Sequence, residues 1–299
     1  MPKTISQLVT DFQTLTNDSS TSSGTLAKTL INFGVRSVLG AQNWTFNKTY
    51  RQYSSATSIQ SYEKPYDAFR MESVHYWDSN VWYALKEVRD DRQWRILNNT
   101  VVTGLPYSWF ISTHTGHVEL YPIPSDSKGT IRMNYLKKVR DIGVTDYSTG
   151  SVTATSGGTA FTGAGTAWGT LFAGRSISVS GTDTPIDGYW FEIDRVNGVG
   201  TIEVRESIPN AVNNATYKIS ELIPLPDGFE DIPLWYALDR YYQIKEKPVL
   251  AREYERKYKE QLGELQNRDM RSASNIIEKQ YEGEGMMNPN SNPWSITLS

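Results

Sequence analysis

Cysteine is absent from the 299 residues, which removes disulfides, thiolate nucleophiles and cysteine-ligated metals in one step. That absence fits assembly in a reducing cytoplasm. Histidine is scarce, at three residues. No apolar run approaches the ~18 residues that a transmembrane helix needs. The opening MPKTISQLVTDF spaces its apolar residues instead of massing them as a signal peptide does. A soluble protein with no membrane partner is expected. An excess of charge is missing too: 30 Lys plus Arg stand against 33 Asp plus Glu, a net charge of −3. The basic field on which sequence-independent DNA binding depends is therefore lacking. N-x-T triplets at Asn43 and Asn214 are read as chance matches in a chain without a secretory signal.

Hydrophobic residues make up 38% and charged residues 21%, enough for a packed core and too apolar for global disorder. The length allows two domains, or one domain carrying a large insertion. Eighteen Tyr and nine Trp suit either a Tyr-rich β-sheet or surfaces partly buried between subunits.

Four zones follow one another along the chain. In the first, Thr4 and Gln7 have capping-box spacing, and Ile5, Leu8, Val9, Phe12 and Leu15 form a helical stripe. A second helix is expected with Leu26, Leu30, Ile31 and Phe33 on its buried side, bent or ended at Gly34. The second zone, from about Tyr50 to Ile142, is mainly β. Phe69, Met71, Ser73 and His75 alternate with Arg70, Glu72, Val74 and Tyr76, and Val81 to Val88 follow the Asp78-Ser79-Asn80 turn as a hairpin partner. Asp90 to Leu97 reads as a short helix, Trp109 to Tyr121 as a second hairpin, and Thr130 to Leu136 as a last strand.

From Ser148 to Ser220 charge thins out and Gly, Thr, Ser and Val dominate, with β-like runs at Ser176–Val179, Trp190–Val196, Thr201–Val204 and Thr216–Ile219. This is a small all-β module, a compact barrel or sandwich, whose core draws on Phe161, Trp168, Phe172 and Trp190. The fourth zone is helical. Asp227 and Glu230 are spaced as a capping box with Pro233 in the first turn, Leu234, Trp235, Leu238, Tyr241 and Tyr242 recur at helical spacing, and Pro248 interrupts them. Leu250, Tyr254, Tyr258, Leu262 and Leu265 then share a face, with Glu253–Lys257 and Glu255–Lys259 as i,i+4 pairs. After Tyr281 the chain turns Gly-, Asn- and Pro-rich, yet Trp294, Ile296 and Leu298 alternate with Ser295, Thr297 and Ser299. That ending is either a frayed terminus or a strand suited to another subunit's sheet edge.

The sequence carries no complete catalytic motif. His114-x-x-His117, with Glu119 nearby, invites a metal reading, but the pair falls on a hairpin tip and no second ligand pair accompanies it. These histidines and His75 are read as surface or interface residues. GAGTAWGT, with Gly163, Gly165 and Gly169, lacks the Lys-Ser/Thr of a P-loop. No G-x-S-x-G elbow occurs. Asp90-Asp91 and Glu230-Asp231 sit at expected helix starts, where carboxylates favour the helix dipole. The expectation is a protein that is not an enzyme and uses no cofactor or metal. Two other readings stay open: a receptor- or glycan-binding protein stacking sugars on Trp168, Tyr189 and Trp190, and a polysaccharide hydrolase using an Asp/Glu pair.

YEKPYDAFRMESVHYWDSNVWYALKEV, the short helix around Trp94, LPYSWFI, and VELYPIPSDSKGTIRMNYLKK with its LYPIP turn and G-x-I-x-x-x-Y together resemble the head-to-tail adaptor (head-completion) proteins of tailed phages. LPDGFEDIPLWYALDRYY, leading into a long charged helix, is also similar to that family. The module GSVTATSGGTAFTGAGTAW…GRSISVSG departs from the simplest adaptors and looks like small β domains of assorted phage virion proteins. The resemblance implies an α+β fold: a helical adaptor core with antiparallel hairpins over residues 1–146 and 222–282, an inserted all-β module over 147–221, and an extended C-terminal arm over 283–299. It also implies a ring, usually of twelve subunits, seated under the portal protein, with a downstream tail, stopper or nozzle protein below and genomic DNA passing through the lumen. Trp294, Ile296 and Leu298 would then dock the arm on the portal or a neighbour. The helix faces bearing Trp235, Tyr241, Tyr242, Tyr254 and Tyr258 would serve as subunit interface or as core.

Overall fold

A computed structural model describes residues 2–125, 127, 129–139, 146–180, 186 and 188–283, with side chains described through residue 271. It divides into two compact units, Met1–Ala41 with Asp141–Arg268, and Gln42–Arg140 with Asp269–Ser299.

The first unit begins with α1 (Ile5–Thr16), where Thr4 and Gln7 form the expected reciprocal capping box and satisfy two otherwise orphaned backbone donors. Ile5, Leu8, Val9 and Phe12 are buried, but Leu15, in the last turn before the left-handed cap Asn17, is exposed. Ser20 caps α2 (Thr21–Gly40). Gly34 neither bends nor ends this helix. It is buried, and a Cβ there would lie 2.8 Å from Cα of Pro233, so glycine lets the two backbones approach closely. The buried stripe runs through Ala27, Leu30, Ile31, Val35 and Val38, and the expected member Phe33 is exposed.

The second unit holds β1 (Lys48–Ser54), β2 (Ser61–Tyr62), β3 (Ala68–Trp77), β4 (Trp82–Ala84), β5 (Lys86–Glu87), α3 (Asp91–Leu97), β6 (Thr103–Gly104), β7 (Ser108–Ile111), β8 (Val118–Tyr121), β9 (Ile123–Pro124) and β10 (Thr130–Lys137). One sheet is antiparallel in the order β1-β10-β3-β4, a second runs β2-β8-β7-β5, and β6 pairs with β9 in parallel. Val74, Tyr76, Ile131 and Met133 from the first sheet share a core with Trp109, Val118 and Leu120 from the second.

The strands of this unit depart from the expected pattern in two places. Strict alternation along β3 fails: Ala68, Met71, Val74 and Tyr76 are buried, while Phe69 is 69% exposed. Register shifts against β10 at Asn134/Tyr135 and Leu136/Lys137 insert extra residues and re-aim the side chains, as bulges do. Val81–Val88 is likewise not one strand. Trp82–Ala84 pairs with β3, and Lys86–Glu87 crosses to pair with β7 in parallel.

Six further strands follow in the first unit: β11 (Ser151–Ala154), β12 (Ala160–Ala164), β13 (Ser176–Ser180), β14 (Trp190–Val196), β15 (Thr201–Val204) and β16 (Val212–Ser220). They close into a barrel in the order β11-β12-β15-β14-β13-β16. Closure leaves no free strand edge. Phe161, Ile177, Phe191, Ile193, Ile202 and Ile219 are fully buried inside it. Trp168 joins this core, whereas Phe172 is only partly buried and Trp190 is half-buried, with its neighbour Phe191 taking the central place. The Gly-rich TATSGGTAFTGAGT is thus largely a hairpin, β11 to β12, with Gly157 in its turn held at φ +76°.

Helix α4 (Ile232–Ile244) carries Pro233 in its first turn, where a missing N–H costs nothing. The expected Asp227/Glu230 capping box does not form. Glu230 Oε2 instead accepts from the Gly228 N–H at 2.7 Å, and the residue at the cap, Asp231, accepts from Lys3 Nζ at 2.7 Å. Helix α4 ends at Ile244, before the left-handed Glu246, and Pro248 is the first residue of the following helix α5 (Pro248–Gly283) instead of a break inside one. The segment 284–299, and with it the expected arm, lies outside the described residues.

Candidate interaction surfaces

The aromatic residues of α4 and α5 meet one another. Tyr254 lies in stacked geometry against both Trp235 (centroids 6.0 Å, 14°) and Tyr242 (5.6 Å, 7°), and Lys257 Nζ sits 5.0 Å from the Tyr254 ring. Trp235 Nε1 donates to Gln261 Oε1 at 3.0 Å. Tyr241 packs edge-on against Phe12 of α1, Tyr242 donates its hydroxyl to Leu15 O at 3.3 Å, and the Tyr258 hydroxyl pairs with Ser37 Oγ of α2 at 2.9 Å. Burial raises the phenol pKa of Tyr242 and of Tyr254. These five residues therefore bind four helices of one unit together. Trp235, Tyr254 and Tyr258 keep partial exposure. Glu253–Lys257 and Glu255–Lys259 pair at 3.2 and 2.6 Å on the outer side of α5.

Helix α4 also carries a buried acid. Asp239 accepts from Gln243 Nε2 at 2.7 Å, and burial raises its carboxyl pKa despite that bond. In the second unit another carboxylate fastens a helix. Asp269 on α5 accepts from the Thr45 N–H at 3.0 Å, from the Thr45 hydroxyl, and from Gln42 Nε2 at 3.2 Å.

The histidines do not converge. His114 is exposed on the β7–β8 turn, His117 Nδ1 lies 3.1 Å from Ser61 Oγ, and Glu119 accepts from Trp94 Nε1 at 2.8 Å. Among the described residues no group of three or more metal-ligating side chains is found, and no helix is long and apolar enough to cross a membrane. Asp90 caps α3 by accepting from the Arg92 N–H at 2.9 Å, and Asp91 pairs with Arg95.

One surface was missed in the sequence. The solvent face of the β1-β10-β3-β4 sheet carries Arg132 between two aromatic rings, with its guanidinium carbon 4.6 Å from the Tyr50 centroid and 4.3 Å from that of Trp82. With its amide oxygen turned inward, Gln52 accepts from Arg132 Nε and Nη2 at 3.1 and 2.9 Å. Asn134 Nδ2 donates to Ser73 Oγ at 2.9 Å and lies 3.0 Å from His75 Nδ1. Partial burial, then the Arg132 charge, lowers the His75 pKa. The signal lies in the two-residue spacing of Tyr50 and Gln52 and of Arg132 and Asn134, which puts each pair on one strand face, but cross-strand neighbours cannot be paired without the register.

On the barrel, Trp168 is 2% exposed and its Nε1 donates to the Tyr217 hydroxyl at 3.0 Å. It is a core residue and presents no ring to a sugar. Tyr189 is exposed, with its hydroxyl donating to Glu206 Oε2 at 2.6 Å. The residues that the alternation marks for docking, Trp294, Ile296 and Leu298, lie outside the described residues.

The family model of the SU10 adaptor protein matches residues 3–158. The chain belongs to that family and is a phage adaptor protein. The matched span takes in α1, α2, both sheets and the first barrel strand, while α4 and α5 fall beyond it. Comparison with curated proteins finds none that matches.

Proposed function

We propose that this adaptor is a non-catalytic structural component of the virion, forming a closed ring between the portal protein and the tail. The ring has about twelve copies, as the resemblance implies, and genomic DNA passes through its lumen without sequence-specific contacts. The next tail, stopper or nozzle protein docks below. The family match across residues 3–158 is the observation that carries this reading. A closing ring needs head-to-tail contacts between two different patches of each copy. The ordered Tyr50–Arg132–Trp82 face and the partly exposed α4–α5 ridge supply patches of that kind. A net charge of −3 suits a passage that must release DNA, since many phosphate contacts would hold it. No cofactor takes part, and assembly occurs in the host cytoplasm.

Phage particles produced without this protein test the reading. Filled or emptied heads carrying portals but no tails are expected, with tails accumulating separately. Normal tailed particles in its absence would overturn the proposal.

A further inference from the structure

Strand edges differ sharply across the described residues. The barrel is closed, and the outer strands β4, β5 and β2 are three, two and two residues long. Strand β1 offers a long outer edge: seven residues paired on one side to β10, in continuous register and without proline, whereas the part of β3 left unpaired by β4 is broken by register shifts. Natural sheets usually blunt such edges by shortness, bulges, proline or charged side chains, because an open row of amides and carbonyls is a template for another strand. Of these, β1 carries only Lys48 at its start and Arg51, whose guanidinium carbon lies 5.6 Å from the Tyr66 ring. The Ser55 N–H bonds to Gly129 O across from it at 2.8 Å. By antiparallel alternation Tyr53, Arg51 and Thr49 also bond toward β10, so the backbone groups of Tyr50, Gln52 and Ser54 point off the sheet. Side chains alternate the other way. Tyr50, Gln52 and Ser54 are exposed, while Thr49, Arg51 and Tyr53 are half-buried, with Tyr53 packed on the rim of the core.

We infer that the outer edge of β1 receives the segment Trp294–Ser299 of a second copy of this chain as an added strand. That segment follows Pro293, a residue suited to a strand start, and alternates Trp294, Ile296 and Leu298 with Ser295, Thr297 and Ser299. Laid on β1, its apolar residues cover the half-buried row at Thr49, Arg51 and Tyr53, and its polar residues join Tyr50 and Gln52 on the wet face. Residues 284–293 precede the segment and, when extended, span roughly 30 Å at ~3.3 Å per residue, enough to cross to a neighbour. Each copy then gives one strand and receives one, the head-to-tail relation that closes a ring. The inference rests on the edge and the alternation, not on the portal reading.

The cysteine-free chain allows a direct test with full-length protein. Copies carrying Gln52→Cys are mixed with differently tagged copies carrying Ser295→Cys, Thr297→Cys, Ser299→Cys or Ile296→Cys, then mildly oxidised. Disulfides between the two tags are expected at one or more of the polar positions and not at Ile296, which faces the opposite side. No disulfide, equal yields at polar and apolar positions, or disulfides confined to single chains would each overturn the inference. Rings that form on the portal as well with Ile296→Asp and Leu298→Asp as without them would also overturn it, and would leave the adaptor reading standing.

Discussion

Gly34 and Pro233 bring α2 and α4 into backbone contact: a Cβ on Gly34 would stand 2.8 Å from both Cα and O of Pro233. Gly34→Ala should therefore destabilise the first unit by ~1–3 kcal/mol, the usual cost of overpacking. The ~1 kcal/mol that alanine gains over glycine in helix propensity works against this loss. Thermal unfolding followed by circular dichroism reads the sign. A raised midpoint would mean that the two helices separate freely.

Tyr217 ties the barrel seam, accepting from Trp168 Nε1 at 3.0 Å and donating to Thr149 O at 2.6 Å. Burial pushes its pKa up to about 12 from the ordinary 10.0. The folded state thus keeps a proton that the unfolded chain releases. The stability tied to this proton is complete below pH 10 and is lost as pH rises toward 12. Denaturant midpoints should fall across that window, and the fall should shrink in Tyr217→Phe. An equal fall in both proteins would refute the assignment.

Asp269→Ala leaves the Thr45 N–H and hydroxyl and the Gln42 amide without their carboxylate. A loss of about 1–3 kcal/mol is expected, the cost of stranding buried donors. Hydrogen exchange at Thr45 is the site-specific readout: faster exchange is expected, and unchanged protection would show that another acceptor takes over.

Tyr254 stacks on Trp235 and Tyr242 and lies under Lys257. Tyr254→Ala should shift the emission of Trp235, measured in a variant whose other tryptophans have been replaced by Phe, and should cost less than the ~3–5 kcal/mol of a fully buried aromatic truncation, because Tyr254 is partly exposed. Tyr254→Phe keeps the ring and should leave both nearly as they were. If the two variants behave alike, the stack contributes little.

Local chemistry was legible in the sequence wherever partners sit close along the chain. The Thr4/Gln7 capping box, the Asp90 cap and the Glu253–Lys257 and Glu255–Lys259 pairs all stand as spaced. The small β-module was readable from its turns and closes as a barrel. Features that depend on distant partners were not readable. Phe33 fits a helical stripe by spacing, yet the face that meets α4 is set by Gly34 and Pro233. The β3 alternation is broken by bulges fixed only against β10. Asp227 and Glu230 have capping spacing, but Lys3, more than two hundred residues earlier, takes Asp231 into an ion pair. The aromatic spacing of Trp235, Tyr242 and Tyr254 fitted core or interface equally, and the stacking geometry puts their rings against one another. Arg132 between Tyr50 and Trp82 needed three strands in register before it could be seen at all.

Electron microscopy of the purified chain mixed with the portal protein of the same phage tests the central claim most directly. The account predicts a closed ring of about twelve copies seated coaxially on the portal, with an open central passage. A competent portal that stays bare, or that binds isolated copies off its axis, would contradict it.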